Sequence, residues 1–290
     1  MGESNSVIPN GACDTHVHVI GPKDRYPLSS RRTYTPRDAP LPELRRMLSR
    51  LRMDRVVLVQ PSVHGTDNRC LLDALDALGS SARGVAVLDK EAHPSELDEC
   101  HRRGIRGLRL NIATFGTAPA DTIRERLEAT VALCARHGWH VQLFLPASSL
   151  APLAPALRQV PVPVVIDHFG FCSPENPESE SCRTLRKLLA EGRVWVKLSA
   201  PYRIAEDPFD RRVGQLAQLL ADANPDQVVW GSDWPHTPPH GTTHTATNEE
   251  APYRELDTGA LLAATASWFA DPAQRRRMLV DNPARLYGFS

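Results

Sequence analysis

"CDTHVHVIGP", residues 13–22, places His16 and His18 two positions apart in an apolar stretch, directly behind an aspartate. Alternate side chains of a strand share a face, so this spacing predicts that Asp14, His16 and His18 lie together while Cys13 points away. A strand suited to burial that carries imidazoles toward its end and runs into a long polar connection suits the first strand of a barrel, opening into a site.

Outward from it, the pattern recurs. Runs rich in Val, Ile and Leu follow the first one (12–20) at 55–61, 83–89, 104–111, 140–146, 162–169, 194–202 and 228–235. Stretches of helical period separate them at 42–52, 68–78, 94–103, 120–137, 148–158, 181–191 and 209–222, with two more at 259–270 and 272–279. Eight strands, each followed by a helix, in 290 residues predict an α/β chain of the (β/α)8 TIM-barrel class. It reads as one domain over 1–290, with 1–11 a polar N-terminal extension. A doubly wound open sheet would normally have fewer strands, and no GxGxxG turn follows the first one. The two long connections, 21–41 and 234–257, both fall at strand C-terminal ends, where a barrel carries its active-site loops.

Polar residues gather at those same ends. Strand four offers Arg109 and Asn111, strand five Gln142, strand six His168, strand seven Lys197 and Ser199, and strand eight Asp233 with His236 close behind. Each alone has a structural reading: a hydrogen-bonded core histidine, a snorkelling Lys197, an Asp233 that caps the next helix. Together they are too costly to bury unless they pair or act. A carboxylate can activate water, and imidazoles, bare or metal-bound, can stabilise the developing negative charge. His16, His18, His168 and Asp233 also form a plausible set for one divalent metal, zinc being the expected ion. Ser62 and His64, in "PSVHGTDN" (61–68), and Tyr34, in the first long loop, are candidate substrate contacts. Asp67 and Asn68 are expected to cap the following helix.

Composition narrows the partners. Lys plus Arg and Asp plus Glu each number 34, so no net field favours nucleic acid or an anionic membrane surface. Arg275, Arg276 and Arg277 read as a solvated helix face. No apolar run is long enough to span a bilayer, and the first ten residues lack the pattern of a secretory signal. Six cysteines without a CxxC pair read as reduced thiols, which points to the cytoplasm.

"DTHVH", "IDHFG" and "WGSDWPH" resemble the amidohydrolase superfamily, in its amidohydrolase-2 branch. "THVHVIGP", "PSVHGTDN", "RGLRLN", "VPVVIDHFG" and "DNPARLYGF" extend the similarity, in order, to the 2-pyrone-4,6-dicarboxylate lactonases and related lactonases of that branch. The resemblance implies hydrolysis of a small acidic lactone. Asp233 would be the general base, and His16, His18 and His168 would polarise the carbonyl, directly or through a metal. It leaves the cofactor between none obligatory and one divalent ion, because pyrone lactonases work without a metal and other lactonases of the branch use zinc. Arg109 on strand four cannot be carbamylated and strand five ends without a histidine, which argues against a lysine-bridged binuclear centre.

Arg109 and Arg203 offer planar forks for a substrate carboxylate, and His236 follows Asp233 into the site. Phe115, Phe144 and Phe171 stand where the resemblance implies further basic or phenolic groups, so a monocarboxylated or neutral aromatic-derived lactone is expected rather than a dicarboxylate. In "PHTPPHGTTHTATNEE" (235–250), prolines and threonines interrupt His236, His240 and His244, so the segment reads as a lid or as a contact within a homo-oligomer. A metal-dependent decarboxylase and a lactone isomerase are the rival activities. A barrel that has lost catalysis would have been expected to lose Asp233 or a histidine.

Overall fold

The computed structural model describes residues 8–115, 119–238 and 249–290, the Phe115 side chain excepted. The expectations for the Phe115 ring, for His240 and His244 and for residues 1–7 lie outside the described residues. Eight strands form one parallel sheet in sequence order. They are β1 (Cys13–Val17), β2 (Arg55–Val59), β3 (Ala82–Ala86), β4 (Ile105–Asn111), β5 (His140–Phe144), β6 (Val164–Ile166), β7 (Trp195–Ser199) and β8 (Val228–Gly231). The chain beyond β8 returns to β1: Asp233 N donates to His16 O at 2.8 Å, and His18 N donates to Trp234 O at 2.9 Å. The expected barrel is therefore present.

Helices α1 (Leu41–Leu51), α2 (Arg69–Leu78), α3 (Pro94–Arg102), α4 (Ala120–Ala135), α5 (Leu150–Leu157), α6 (Glu180–Ala190), α7 (Arg211–Ala223) and α8 (Thr258–Trp268) lie between and after the strands. In α1, Leu44, Met47, Leu48 and Leu51 recur at helical spacing and are the buried face. Side-chain oxygens start several helices by accepting a first-turn N–H: Ser179 for α6, Asp210 for α7 and Asp257 for α8. At α2, Asp67 accepts from Arg69 N. Asn68 holds the N-cap position but spends its side chain elsewhere, donating to Thr66 O and Val87 O and accepting from Val87 N. That bridge satisfies the backbone N–H and C=O of Val87 just beyond β3.

Strand alternation separates two apolar layers. Val56 and Leu58 join the helix-facing core, whereas Val57, Val59 and Val85 pack inside with Tyr287 and Phe289 from the C-terminal segment. Cys13 belongs to this inner cluster, contrary to the parity argument. The β1–β2 register shifts between Asp14 and Val17, which pair with Val56 and Leu58. That irregularity breaks simple alternation, so Cys13 and the two histidines face the interior while Asp14 does not. Its carboxylate instead accepts the backbone N–H groups of Ser232 and His16. The connections after β1 and β8 are tied together by a two-residue parallel ribbon, Thr35–Pro36 against Glu250–Ala251, and by a Lys23–Glu250 ion pair at 2.7 Å. Among the described residues no helix is long and apolar enough to cross a membrane. All six cysteines are buried and free.

Candidate active site

The backbone turns sharply where β6, β7 and β8 end. His168 (φ 51°), Phe169 (56°) and Phe171 (52°) follow β6, Ala200 (50°) follows β7, and Asp233 (61°) and His236 (67°) follow β8. Left-handed φ at side-chain-bearing residues costs about 1–2 kcal/mol each and tends to collect where a site must be shaped.

These turns gather three imidazoles around one carboxylate oxygen. Asp233 Oδ1 lies 3.4 Å from His16 Nε2, 3.4 Å from His18 Nε2 and 4.0 Å from His168 Nε2. Each ring is anchored by its other nitrogen. His18 Nδ1 bonds Val59 O at 2.8 Å and must carry the proton there, because a carbonyl only accepts. His168 Nδ1 shares a 2.8 Å hydrogen bond with Ser199 Oγ. His16 Nδ1 faces Asp167 Oδ1 at 3.4 Å and Lys197 Nζ at 3.5 Å. The second oxygen of Asp233 is held separately: Oδ2 accepts from the Tyr202 hydroxyl at 2.5 Å and from Arg203 Nε and Nη2 at 3.3 Å each.

Burial governs the charges. It lowers His16 to about 3, against the pull of Asp167, and drives His168 well below the usual imidazole range. Burial acts to raise Asp233, but His168 and the Arg203 guanidinium, with His18 and His16 beside them, outweigh it and hold the carboxyl well below its usual value. Lys197 does not snorkel: its side chain is wholly buried, Nζ donates to Thr15 O at 2.7 Å, and burial lowers it to about 8.

A second buried acid, Asp167, was passed over in the sequence. Its Oδ2 accepts from Arg109 Nε (3.1 Å), Arg109 Nη2 (3.0 Å) and Gln142 Nε2 (3.1 Å). Alternation from the inward Val165 was the signal that could have found it. Tyr202 was likewise missed inside "APYRIA", although it directly precedes Arg203.

The other expected contacts divide. Tyr34, Ser62, Arg109 and Arg203 border the same small chamber as His18, His168 and Asp233. The guanidinium forks, however, are engaged: Arg109 with Asp167, and Arg203 with Asp233 and with Thr237 Oγ1 at 2.7 Å. His64 is turned to the first loop, its Nδ1 3.4 Å from Pro27 O, and His236 Nε2 bonds Thr258 Oγ1 at 3.0 Å behind Tyr202. Neither ring borders that chamber. Phe144 stands edge-on to His168 (5.2 Å between centroids) with Phe171 5.4 Å away, and the Arg109 guanidinium lies 4.8 Å above it.

The donor set suits a divalent cation. His16 Nε2 and Asp233 Oδ1 are buried without a hydrogen-bond partner, and His18 Nε2, on the ring whose Nδ1 bonds Val59 O, faces that same oxygen at 3.4 Å. Acceptors facing one another in a dry site call for a positive charge between them, a proton or a metal. His16, His18 and Asp233 offer ligand atoms all within 4.8 Å of one another, as do His16, Asp167 and His168.

A parallel barrel with paired imidazoles on its first strand, a third after the sixth and a carboxylate after the eighth defines a barrel hydrolase by site and fold together. The amidohydrolase family model matches residues 13–289, and the chain belongs to that family. It is 33% identical over 285 residues to 4-sulfomuconolactone hydrolase of Hydrogenophaga intermedia, covering 97% of this chain and 90% of the relative. It is also 33% identical over 293 residues to the 2-pyrone-4,6-dicarboxylate hydrolase of Comamonas testosteroni, covering 97% and 91%. The crystal structure of a putative 2-pyrone-4,6-dicarboxylic acid hydrolase from Pseudomonas putida superimposes with a TM-score of 0.81 at 30% identity, over 97% of this chain and 98% of the other.

Proposed function

We propose that this protein hydrolyses a small lactone of low charge, with Asp233 Oδ1 as the proton-transferring group. The division of the Asp233 carboxylate carries the reading: Oδ2 is fixed by Tyr202 and Arg203, while Oδ1 faces three imidazoles in the barrel mouth. Relatives named as lactone hydrolases support the substrate class.

Water held at Oδ1 gives up a proton to it as the oxygen attacks the ring carbonyl. The negative charge gathering on the carbonyl oxygen is met by the positive charge, a proton or a metal, that the imidazole cluster would hold. Collapse of the tetrahedral intermediate breaks the ring C–O bond, and Asp233 returns its proton to the departing oxygen, so the product is an open hydroxy acid. His16, His18, His168 and Asp233 would hold one divalent cation, zinc by ligand type, which when bound supplies Lewis-acid polarisation of the carbonyl. Asp167 orients His16 by facing its Nδ1, as carboxylates behind ligating histidines commonly do.

Low substrate charge follows from the occupied forks of Arg109 and Arg203 and from the phenyl rings of Phe144 and Phe171. One carboxylate at most finds a partner there, since a second buried anion would stay unpaired at substantial cost.

The test is a panel of neutral, monocarboxylated and dicarboxylated lactones in H2(18)O. Hydrolysis places one labelled oxygen in the product carboxylate. A product isomeric with its substrate and free of label would mean an isomerase, and release of CO2 a decarboxylase; either result overturns the reading.

A further inference from the structure

The central chamber is narrow. Enclosed by Tyr34, Ser62, Arg109, Arg203 and the imidazoles, it offers only about 10 Å3, room for about one water. Next to it is a cavity of about 500 Å3, within the size range of small-molecule sites. The two share Ser62 and Arg109 as a common wall.

The larger cavity lies between the ends of β2, β3 and β4 and one face of α4. Val87, Leu88, Leu108, Leu110, Ala129 and Leu133 supply its apolar lining. Ala129 and Leu133 are one helical turn apart, so they present a continuous half-buried strip to the space. Four charged lining residues cancel, Asp89 and Glu125 against Lys90 and Arg126, and the fifth, Arg109, is paired with Asp167. Such a chamber attracts neither an anion nor a cation, but it rewards the removal of hydrocarbon from water.

We propose that this second chamber is a substrate subsite: it takes a neutral, apolar arm on the lactone, while the scissile ester reaches past Ser62 and Arg109 to Asp233. This rests on the lactone-hydrolase reading and narrows it, from a small lactone to one carrying a hydrocarbon substituent. Size and adjacency argue for the substrate itself as the occupant. The place where water meets Asp233 is narrow, and the adjoining cavity lies just across Ser62 and Arg109.

Two series of compounds test it on the full-length protein: monocarboxylated lactones whose ring bears a straight alkyl arm from methyl to heptyl, and the corresponding lactams, which resist hydrolysis. Each buried methylene should raise kcat/KM roughly three- to fourfold until the chamber is full, and lactam Kd values from calorimetry should tighten in parallel. Ala129→Trp, which fills the chamber from α4 and touches no group of the reaction, should lower kcat/KM for the heptyl lactone about tenfold or more and leave the methyl lactone within about twofold. Ala129→Leu should give a smaller effect of the same kind, and it serves in place of the tryptophan variant if that protein does not fold. Rates and affinities that do not depend on arm length, or a variant that impairs methyl and heptyl substrates equally, would overturn the subsite. Lactams that bind by arm length while no lactone opens would instead overturn the lactone-hydrolase reading and leave the subsite standing.

Discussion

The Tyr202 hydroxyl donates to Asp233 Oδ2 at 2.5 Å, on the oxygen that the imidazoles do not face. A charge-assisted bond of this length stabilises the ionised carboxylate and fixes its rotation. Tyr202→Phe keeps the ring, which stands edge-on to His236 at 5.8 Å, and removes only the donor. We expect kcat to fall about tenfold. The acid limb of the rate profile should move to higher pH, because a carboxylate that loses a donor to its charged form becomes easier to protonate. A pH–rate profile of the variant checks both.

Asp233→Asn removes the proton acceptor at Oδ1 and keeps the shape. The loss in kcat should lie between about 10^2- and 10^4-fold, the usual weight of general acid–base catalysis, with the far-ultraviolet circular dichroism of the parent retained. Single-turnover kinetics separate this from impaired binding. Retention of more than a tenth of the activity would remove Asp233 from the reaction.

Arg109 is coupled to Asp167, which is fully buried. Arg109→Leu leaves that acid without its guanidinium, a change of about 3–5 kcal/mol in stability, and the melting temperature should drop accordingly. Adding Asp167→Asn removes the stranded charge and should recover a large part of the loss. If Arg109 acts on substrate alone, the single variant will raise KM with its melting temperature unchanged.

Acid stability reports the buried histidines. Burial lowers His140 to about 3 and His236 to about 4, below the ordinary value near 6.5. Below pH 6.5 the unfolded chain therefore takes up protons that the native protein does not. Each group makes stability fall as pH drops from about 6.5 toward its folded value, by about 1.4 kcal/mol per pH unit. Urea midpoints at pH 7 and pH 5 measure the slope. His236→Asn, with a residue that tolerates the left-handed φ of 67° at this position, should make that slope shallower by about one proton.

Much of the barrel was legible because its signals are local. Runs of Val, Ile and Leu alternating with helical periods need no knowledge of distant contacts, and the strands begin within two residues of the expected starts at every position. Their ends were less legible. The expected strand at 162–169 shrinks to Val164–Ile166, because the chain leaves the sheet at Asp167 and turns left-handed at His168. The irregularity in β1 was invisible for a related reason: a register shift is a property of two strands, and alternation within one strand cannot register it.

The sequence by itself determined which chemistry is present: three imidazoles and an aspartate at the ends of three strands, with no net charge to recruit a polyanion. It also determined the barrel, since hydrophobic period and helix-starting residues act over a few positions. Only the tertiary structure decided how those groups are wired. Arg203 turns to Asp233 rather than standing free, Asp167 takes Arg109, His64 turns to the first loop and His236 to the start of α8. The physical reason is that a buried charge takes the nearest partner that satisfies it, and which partner is nearest depends on how eight strands close around a common axis.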